Sequence, residues 1–140
     1  MATVRGCELP EYFFYDVEKN LWAKKDGNMI TLGITTYGCE MMGEIISISC
    51  NQVGNRIKKN KYCVTIESKK WVGIIKTPFS GKVTEFNSRL LENPKLINQD
   101  PYGQGWLVKI KAKNWELETA DLHTGTDAIH AFEDKMEAEG

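Results

Sequence analysis

No two of the four cysteines, Cys7, Cys39, Cys50 and Cys63, stand in a CxxC pair, so the chain lacks the spacing of a zinc or iron–sulfur site and of a thioredoxin-type redox motif. It also lacks an excess of either charge. With 18 basic and 19 acidic residues the formal net charge is -1, which excludes the strong positive field of a nucleic-acid binder and points to proteins as partners. No apolar run approaches the length of a membrane-spanning helix. The segment from Met1 to Cys7 has neither the apolar stretch of a secretory signal nor the arginine-rich pattern of a transit peptide, so a cytoplasmic setting is expected. Only two histidines are present, His123 and His130, near or on a C-terminal helical stretch, where surface or packing roles suit them. No Ser/His/Asp or metal-binding constellation is visible, and no catalytic residue is assigned.

What is present is globular. The 140 residues are 41% hydrophobic, enough for a core in one domain over residues 1–140, with a helical extension from about 114 to 140. Trp22 to Lys25 and Met29 to Ile34 flank an Asp26-Gly27-Asn28 turn and predict a hairpin. Thr35 to Met42 breaks the alternation and predicts a short helix ended by Gly43. Glu44–Ser49, Tyr62–Glu67, Gly73–Lys76 and Gly81–Phe86 are short and rich in β-branched residues, as closely spaced strands of a sandwich or barrel are. Between them, 51–61 is polar, with cations at Arg56, Lys58, Lys59 and Lys61, and reads as a surface connection. A glycine opens the segments at Gly43 and Gly81 alike, an echo that a quasi-symmetric sandwich would produce.

After Asn87 the pattern loosens into turns marked by Asn93-Pro94 and Asp100-Pro101. Trp106 to Lys111 then alternates as a strand with Trp106, Val108 and Ile110 on one face. Thr126 to Glu139 reads as a helix capped by Thr126, with Ile129, Phe132 and Met136 at helical spacing. Cys50 and Cys63 fit as small core residues. Cys7 and Cys39 lie in less regular sequence that would allow exposed thiols, but a structural or incidental role suits them better, because cysteine is among the most buried residue types, and no nucleophile role is assigned to them.

Glu67-Ser68-Lys69-Lys70-Trp71-Val72-Gly73 places two lysines between two β-like runs. Alone, paired lysines on a turn read as solubilising charges. Their company changes that. Val64 to Lys70, followed by Thr77-Pro78-Phe79-Ser80-Gly81-Lys82-Val83, resembles the lipoyl-attachment signature of glycine-cleavage H proteins, Glu-Ser-x-Lys and then Ala/Ser-Pro-x-Ser-Gly-x-Val. Asn93 to Asn98 and Asp100-Pro101-Tyr102-Gly103-Gln104-Gly105-Trp106 resemble the same family's Asn-x-Asp-Pro-Tyr-Gly-x-Gly-Trp segment. The resemblance covers about residues 15 to 113.

This resemblance implies a mainly β, lipoyl/biotinyl-type barrel-sandwich hybrid with short helices, including a C-terminal one. It implies a non-catalytic carrier with lipoate attached covalently to Lys70, three positions after Glu67, and with Glu67 recognised by the lipoylating enzyme. Biotin carriers share the fold but flank their lysine with methionines, whereas Lys70 lies between Lys69 and Trp71. The other implied partners are dihydrolipoamide dehydrogenase and the enzymes that load and unload the arm. An amide to lipoate removes the lysine charge and lengthens its flexible stem, and the dithiolane does the chemistry.

Two departures bear on the cargo. H proteins continue after the lysine with Ala-x-Ser-Asp, where this chain has Trp71-Val72-Gly73-Ile74, and the usual His-Glu-Trp start is absent. Arg5-Gly6-Cys7 and Lys70-Trp71-Val72-Gly73 are similar to the H-like lipoate-binding proteins of heterodisulfide-reductase-like sulfur oxidation. On that resemblance the arm carries sulfur to such a complex. The alternative is an aminomethyl carrier serving the glycine cleavage P and T proteins. Trp71 reads equally as a cover for the sheet edge or as a partner anchor.

Overall fold

A hairpin that the sequence pattern does not announce spans Ala2 to Leu9. In the computed structural model, which describes residues 2–140, β1 (Ala2–Val4) and β2 (Cys7–Leu9) are joined by Arg5 and Gly6 at φ 47° and 86°, paired left-handed residues that suit the twist of a hairpin. β3 (Phe14–Asp16), β4 (Leu21–Asp26) and β5 (Met29–Ile34) follow as a meander, and the predicted Asp26-Gly27-Asn28 turn has Gly27 at φ 61°. α1 (Thr36–Met42) is the expected short helix: the Thr35 hydroxyl accepts from Gly38 N, and Gly43 ends it at φ 79°. Then come β6 (Ile45–Ser49), β7 (Arg56–Ile57), β8 (Tyr62–Ser68), β9 (Val72–Lys76) and β10 (Gly81–Phe86). The single-turn helices α2 (Arg89–Glu92) and α3 (Leu96–Gln99) lead to β11 (Val108–Ala112), α4 (Trp115–Glu118), β12 (His123–Thr124) and α5 (Gly125–Glu139).

Strands β12-β3-β4-β5-β11-β10-β7 make one antiparallel sheet and β6-β8-β9 another, the mainly β barrel-sandwich architecture expected, with its C-terminal helix. One apolar cluster draws on both sheets: Leu32, Ile34, Ile45, Ile66, Phe79 and Ile110 are at most 1% exposed. A second, with Tyr15, Trp22, Phe132 and Met136, lies between β3–β4 and α5. β4 serves both because its side chains alternate, Leu21 and Ala23 into the first cluster and Trp22 into the second. Phe132 meets Tyr15 edge-to-face at 5.7 Å, and burying one such side chain contributes about 1.5–3 kcal/mol. No helix among the described residues is long and apolar enough to cross a membrane.

Several expectations need correction. Trp106 does not share a face with Val108 and Ile110: Leu107 and Val108 both point into the first cluster, and this break in alternation turns Trp106 toward the second, where Lys109 Nζ lies 5.0 Å from its ring. α5 starts at Gly125, so Thr124 occupies the capping position, and its hydroxyl donates to Phe13 O at 2.8 Å instead of capping. The 114–140 segment is not helical throughout, because His123–Thr124 pairs with β3. The stretch read as turns contains α2 and α3, which stop at Asn93 and Asp100, each the residue before a proline. The 51–61 connection buries Ile57, which pairs with Gly81. Cys50, read as a core residue, is only half-buried, whereas Cys7 and Cys39 are buried like Cys63, in keeping with a structural role. The glycine echo has two unrelated causes: Gly43 ends a helix, whereas a Cβ on Gly81 would lie 2.3 Å from Lys111 O.

Candidate functional site

The lysine pair sits at the tip of the β8–β9 hairpin. Ser68 N donates to Trp71 O at 2.7 Å and closes a turn whose inner residues are Lys69 and Lys70. Neither lysine adopts positive φ, so the turn is not the glycine-dependent kind and takes its support from a side chain. That side chain is Ser68, buried at 4% exposure. Its hydroxyl accepts from Lys70 N at 3.2 Å and Trp71 N at 3.0 Å and donates to Met42 O at 2.6 Å. Met42 ends α1, and its carbonyl is one of those a helix terminus leaves without an intrahelical partner. One hydroxyl therefore shapes the turn and moors it to the helix.

Alternation along β8 turns Ile66 and Ser68 inward and Glu67 outward. Glu67 is exposed opposite Val72, with Ser47 Oγ 3.5 Å from its carboxylate. The two lysines have different surroundings. Lys69 Nζ lies 2.5 Å from Glu44 Oε2, and Lys95 Nζ lies 2.9 Å from the other oxygen. The hydrogen bonds and charges of these two lysines hold the Glu44 carboxyl well below the usual range, at about 2. The stem of Lys70 passes over Gly43, where an added Cβ would lie 3.3 Å from Lys70 Cδ. Its ammonium meets no carboxylate among the described residues.

Beneath the tip, Asn98 stands in for a strand partner: its Nδ2 donates to Gly43 O at 2.9 Å, and its Oδ1 accepts from Ile45 N at 2.9 Å. The second motif is likewise scaffold. Asp100 Oδ2 accepts from Gln104 N at 2.8 Å, and Pro101 O accepts from Trp22 Nε1 at 3.0 Å. The Tyr102 hydroxyl accepts from Thr36 N at 3.0 Å and donates to Glu8 O at 2.5 Å. These bonds fix the start of α1, whose far end carries the hairpin. Sequence reasoning missed Ser68, Gly43, Glu44 and Asn98 as site residues, although Ser68 and Asn98 lie inside the quoted motifs.

A cleft lies on either side of the tip. One, of about 500 Å³, is bounded by Cys39, Glu40, Gly43, Glu44, Lys95 and Asn98. The other, of about 300 Å³, is lined by Leu21, Met42, Trp71 and Ile74 with Glu18, Lys19 and Lys76. The Trp71 ring lies against Gly73, where an added Cβ would be 2.2 Å from Cζ2, yet the residue is 40% exposed. Burial pushes the Cys39 and Cys63 thiols up to about 12, and burial with Glu40 alongside pushes Cys7 to about 11, so these are inert thiols at neutral pH. His123 pairs with Asp127 in the next turn of chain, away from the tip. Among the described residues, no group of three or more His, Cys, Asp or Glu side chains is arranged to hold a metal ion.

A family model described as glycine cleavage H-protein matches residues 13–135. "Glycine cleavage system H protein 5" of Aquifex aeolicus is 38% identical over 144 residues, spanning 100% of this chain and 97% of that protein. "Glycine cleavage system H protein 2" of the same organism is 39% identical over 137 residues, 96% and 84% of the two chains. The crystal structure of a glycine cleavage system H protein from Mycobacterium marinum superposes with a TM-score of 0.74 at 26% identity, covering 84% of this chain and 94% of that one.

Proposed function

This chain belongs to the glycine cleavage H-protein family, whose members carry covalently bound lipoate and are not catalysts, and on that premise we propose that Lys70 bears the lipoyl arm. The observation that carries the proposal is the contrast at the tip: a turn fixed by Ser68 presents two lysines, and only Lys70 has its ammonium unpaired among the described residues. A rigid turn under a flexible arm keeps the attachment point fixed while the dithiolane swings. Glu67, exposed on β8 beside that turn, is a contact for the lipoylating enzyme. Residues 1–140 then act as one carrier domain. Four free cysteines accord with work in a reducing cytoplasm.

Mass spectrometry of the protein from its native host, with fragmentation across Glu67 to Lys76, tests the assignment. Lipoate on Lys70 is the expected result, and Lys70→Arg abolishes it with the fold intact. Unmodified or biotinylated Lys70 would overturn it.

Glycine cleavage H proteins work with the P, T and L proteins. For this chain a second reading of the cargo is favoured by the cleft at Trp71. It is lined by Leu21, Met42, Trp71 and Ile74, and Ile74 stands where the H-protein pattern has an acid. The charged residues that also line this cleft are Lys19 and Lys76 with Glu18, two cations to one carboxylate, so an aminomethyl ammonium gains little net attraction there and loses hydration against the apolar wall, whereas a sulfur load bears no such penalty. Aquifex aeolicus has at least two H-type relatives of this chain, which leaves room for division of labour. The sulfur reading, with a heterodisulfide-reductase-like complex as partner, expects deletion to impair thiosulfate-dependent metabolism. Deletion that abolishes glycine decarboxylation and spares sulfur metabolism would reject it.

A further inference from the structure

Lys69 and Lys70 are adjacent, exposed and chemically alike, yet an arm on the wrong one would leave the turn in another direction. Lys69 is held at two points by one residue. Its backbone N–H donates to Glu44 O at 3.1 Å, and its Nζ lies 2.5 Å from Glu44 Oε2. Glu44 is itself fixed: Lys95 Nζ lies 2.9 Å from Oε1, and the residues on either side of it, Gly43 and Ile45, are clipped by the Asn98 amide. Lys70 leaves the same turn over Gly43, which has no side chain to obstruct its stem.

We propose that Glu44 is a specificity-determining positioning residue for modification of this carrier, pairing Lys69 against the protein body so that Lys70 is the amine that reacts. The inference rests on the reading of Lys70 as the lipoylated residue. Acylation needs the neutral amine: its lone pair attacks the carbonyl carbon of an activated acyl donor, the donor's leaving group departs with its bonding pair, and the surplus proton passes to solvent. An ammonium held by a carboxylate must surrender both that partner and a proton before it can attack. Glu44 stays ionised far below neutral pH, so the hold persists wherever the carrier is modified. Lys69 is 67% exposed, and an exposed pair of this kind biases reactivity several-fold without forbidding it.

Acylation of the unmodified full-length protein with limiting acetyl N-hydroxysuccinimide ester, followed by peptide mass spectrometry, reads the preference without any partner enzyme. The expected result is several-fold faster acylation at Lys70 than at Lys69, narrowing as salt is raised. In Glu44→Gln the two rates converge through a rise at Lys69, and Glu44→Asp restores much of the difference. Equal rates in the wild-type protein, or a ratio unchanged in Glu44→Gln, would overturn the role of Glu44. The salt series needs no variant and tests the pairing even where a substitution disturbs the fold. Native lipoate on Lys69 would instead overturn the assignment of Lys70, a separate failure visible in the host-derived protein.

Discussion

The hydroxyl of Ser68 donates to the carbonyl of Met42 at 2.6 Å, joining the lysine hairpin to the end of α1. The same oxygen accepts from the backbone of Lys70 and Trp71, so Ser68→Ala removes partners from three main-chain groups at once. Leaving such groups unsatisfied costs about 1–3 kcal/mol. Chemical denaturation should show a loss in that range. Hydrogen exchange should show faster exchange at the Lys70 and Trp71 amides, and lipoylation in vitro should slow. Unchanged exchange at those two amides would mean that the turn is held by its strands alone.

What the sequence makes legible divides by the range of the interaction. Thr35, Gly43 and the Asp26-Gly27 turn act within a few residues of themselves, and the α1 boundaries and the β4–β5 hairpin followed from them. The lysine turn is legible through a motif, which singles out Lys70 as the proposed attachment point. Glu44 is not, because its meaning depends on Lys69 and Lys95, distant in sequence and joined to it only by the fold. The face of Trp106 is hidden for a similar reason: nothing local says that Leu107 and Val108 both turn inward.

Two glycines lie against tryptophans, with different consequences. A Cβ on Gly33 would be 2.3 Å from the Trp22 ring, which is 1% exposed and bonded to Pro101 O, so neither partner can yield. Gly33→Ala should destabilise by about 1–3 kcal/mol or more. Gly73→Ala meets the Trp71 ring at 2.2 Å, but that ring is 40% exposed and can swing away. Its melting temperature should fall less than that of Gly33→Ala, while a change in tryptophan fluorescence quenching reports the more accessible indole. A larger thermal loss in Gly73→Ala would show that Trp71 is held in place by more than Gly73.

Acid should act on the clamp at Glu44. Folding lowers its carboxyl from 4.5 to about 2 through Lys69 and Lys95, so between those values the folded protein binds fewer protons there than the unfolded chain. The stabilisation is therefore complete above about pH 4.5 and is lost as pH falls toward 2. Denaturation curves of the wild-type protein and Glu44→Gln should differ above that window and converge below it, with the gap shrinking at high salt because these groups face solvent. A gap independent of pH would mean that Glu44 acts through packing and not through charge.

The last prediction concerns a charge row at the other end of β10. Arg56, Lys82 and Lys111 are direct cross-strand neighbours on β7, β10 and β11, and no carboxylate among the described residues pairs with them. Farther along the same ladder, across the bulge between Val83 and Glu85, Glu85 faces Lys109 and pairs with it at 3.8 Å. The sheet therefore contains a favourable and an unfavourable version of one arrangement. Like charges directly opposite each other are destabilising, and an opposite pair is worth about 0.2–1 kcal/mol. Lys82 is the central cation, so Lys82→Glu replaces two repulsions by two attractions and should raise the melting temperature at low salt, with Lys82→Gln intermediate. Added salt should bring all three proteins together, since the effect is carried by exposed charges screened over a Debye length of about 10 Å at 0.1 M. If Glu and Gln at this position prove equally stable at low salt, the three side chains splay far enough into water that register alone does not make them neighbours.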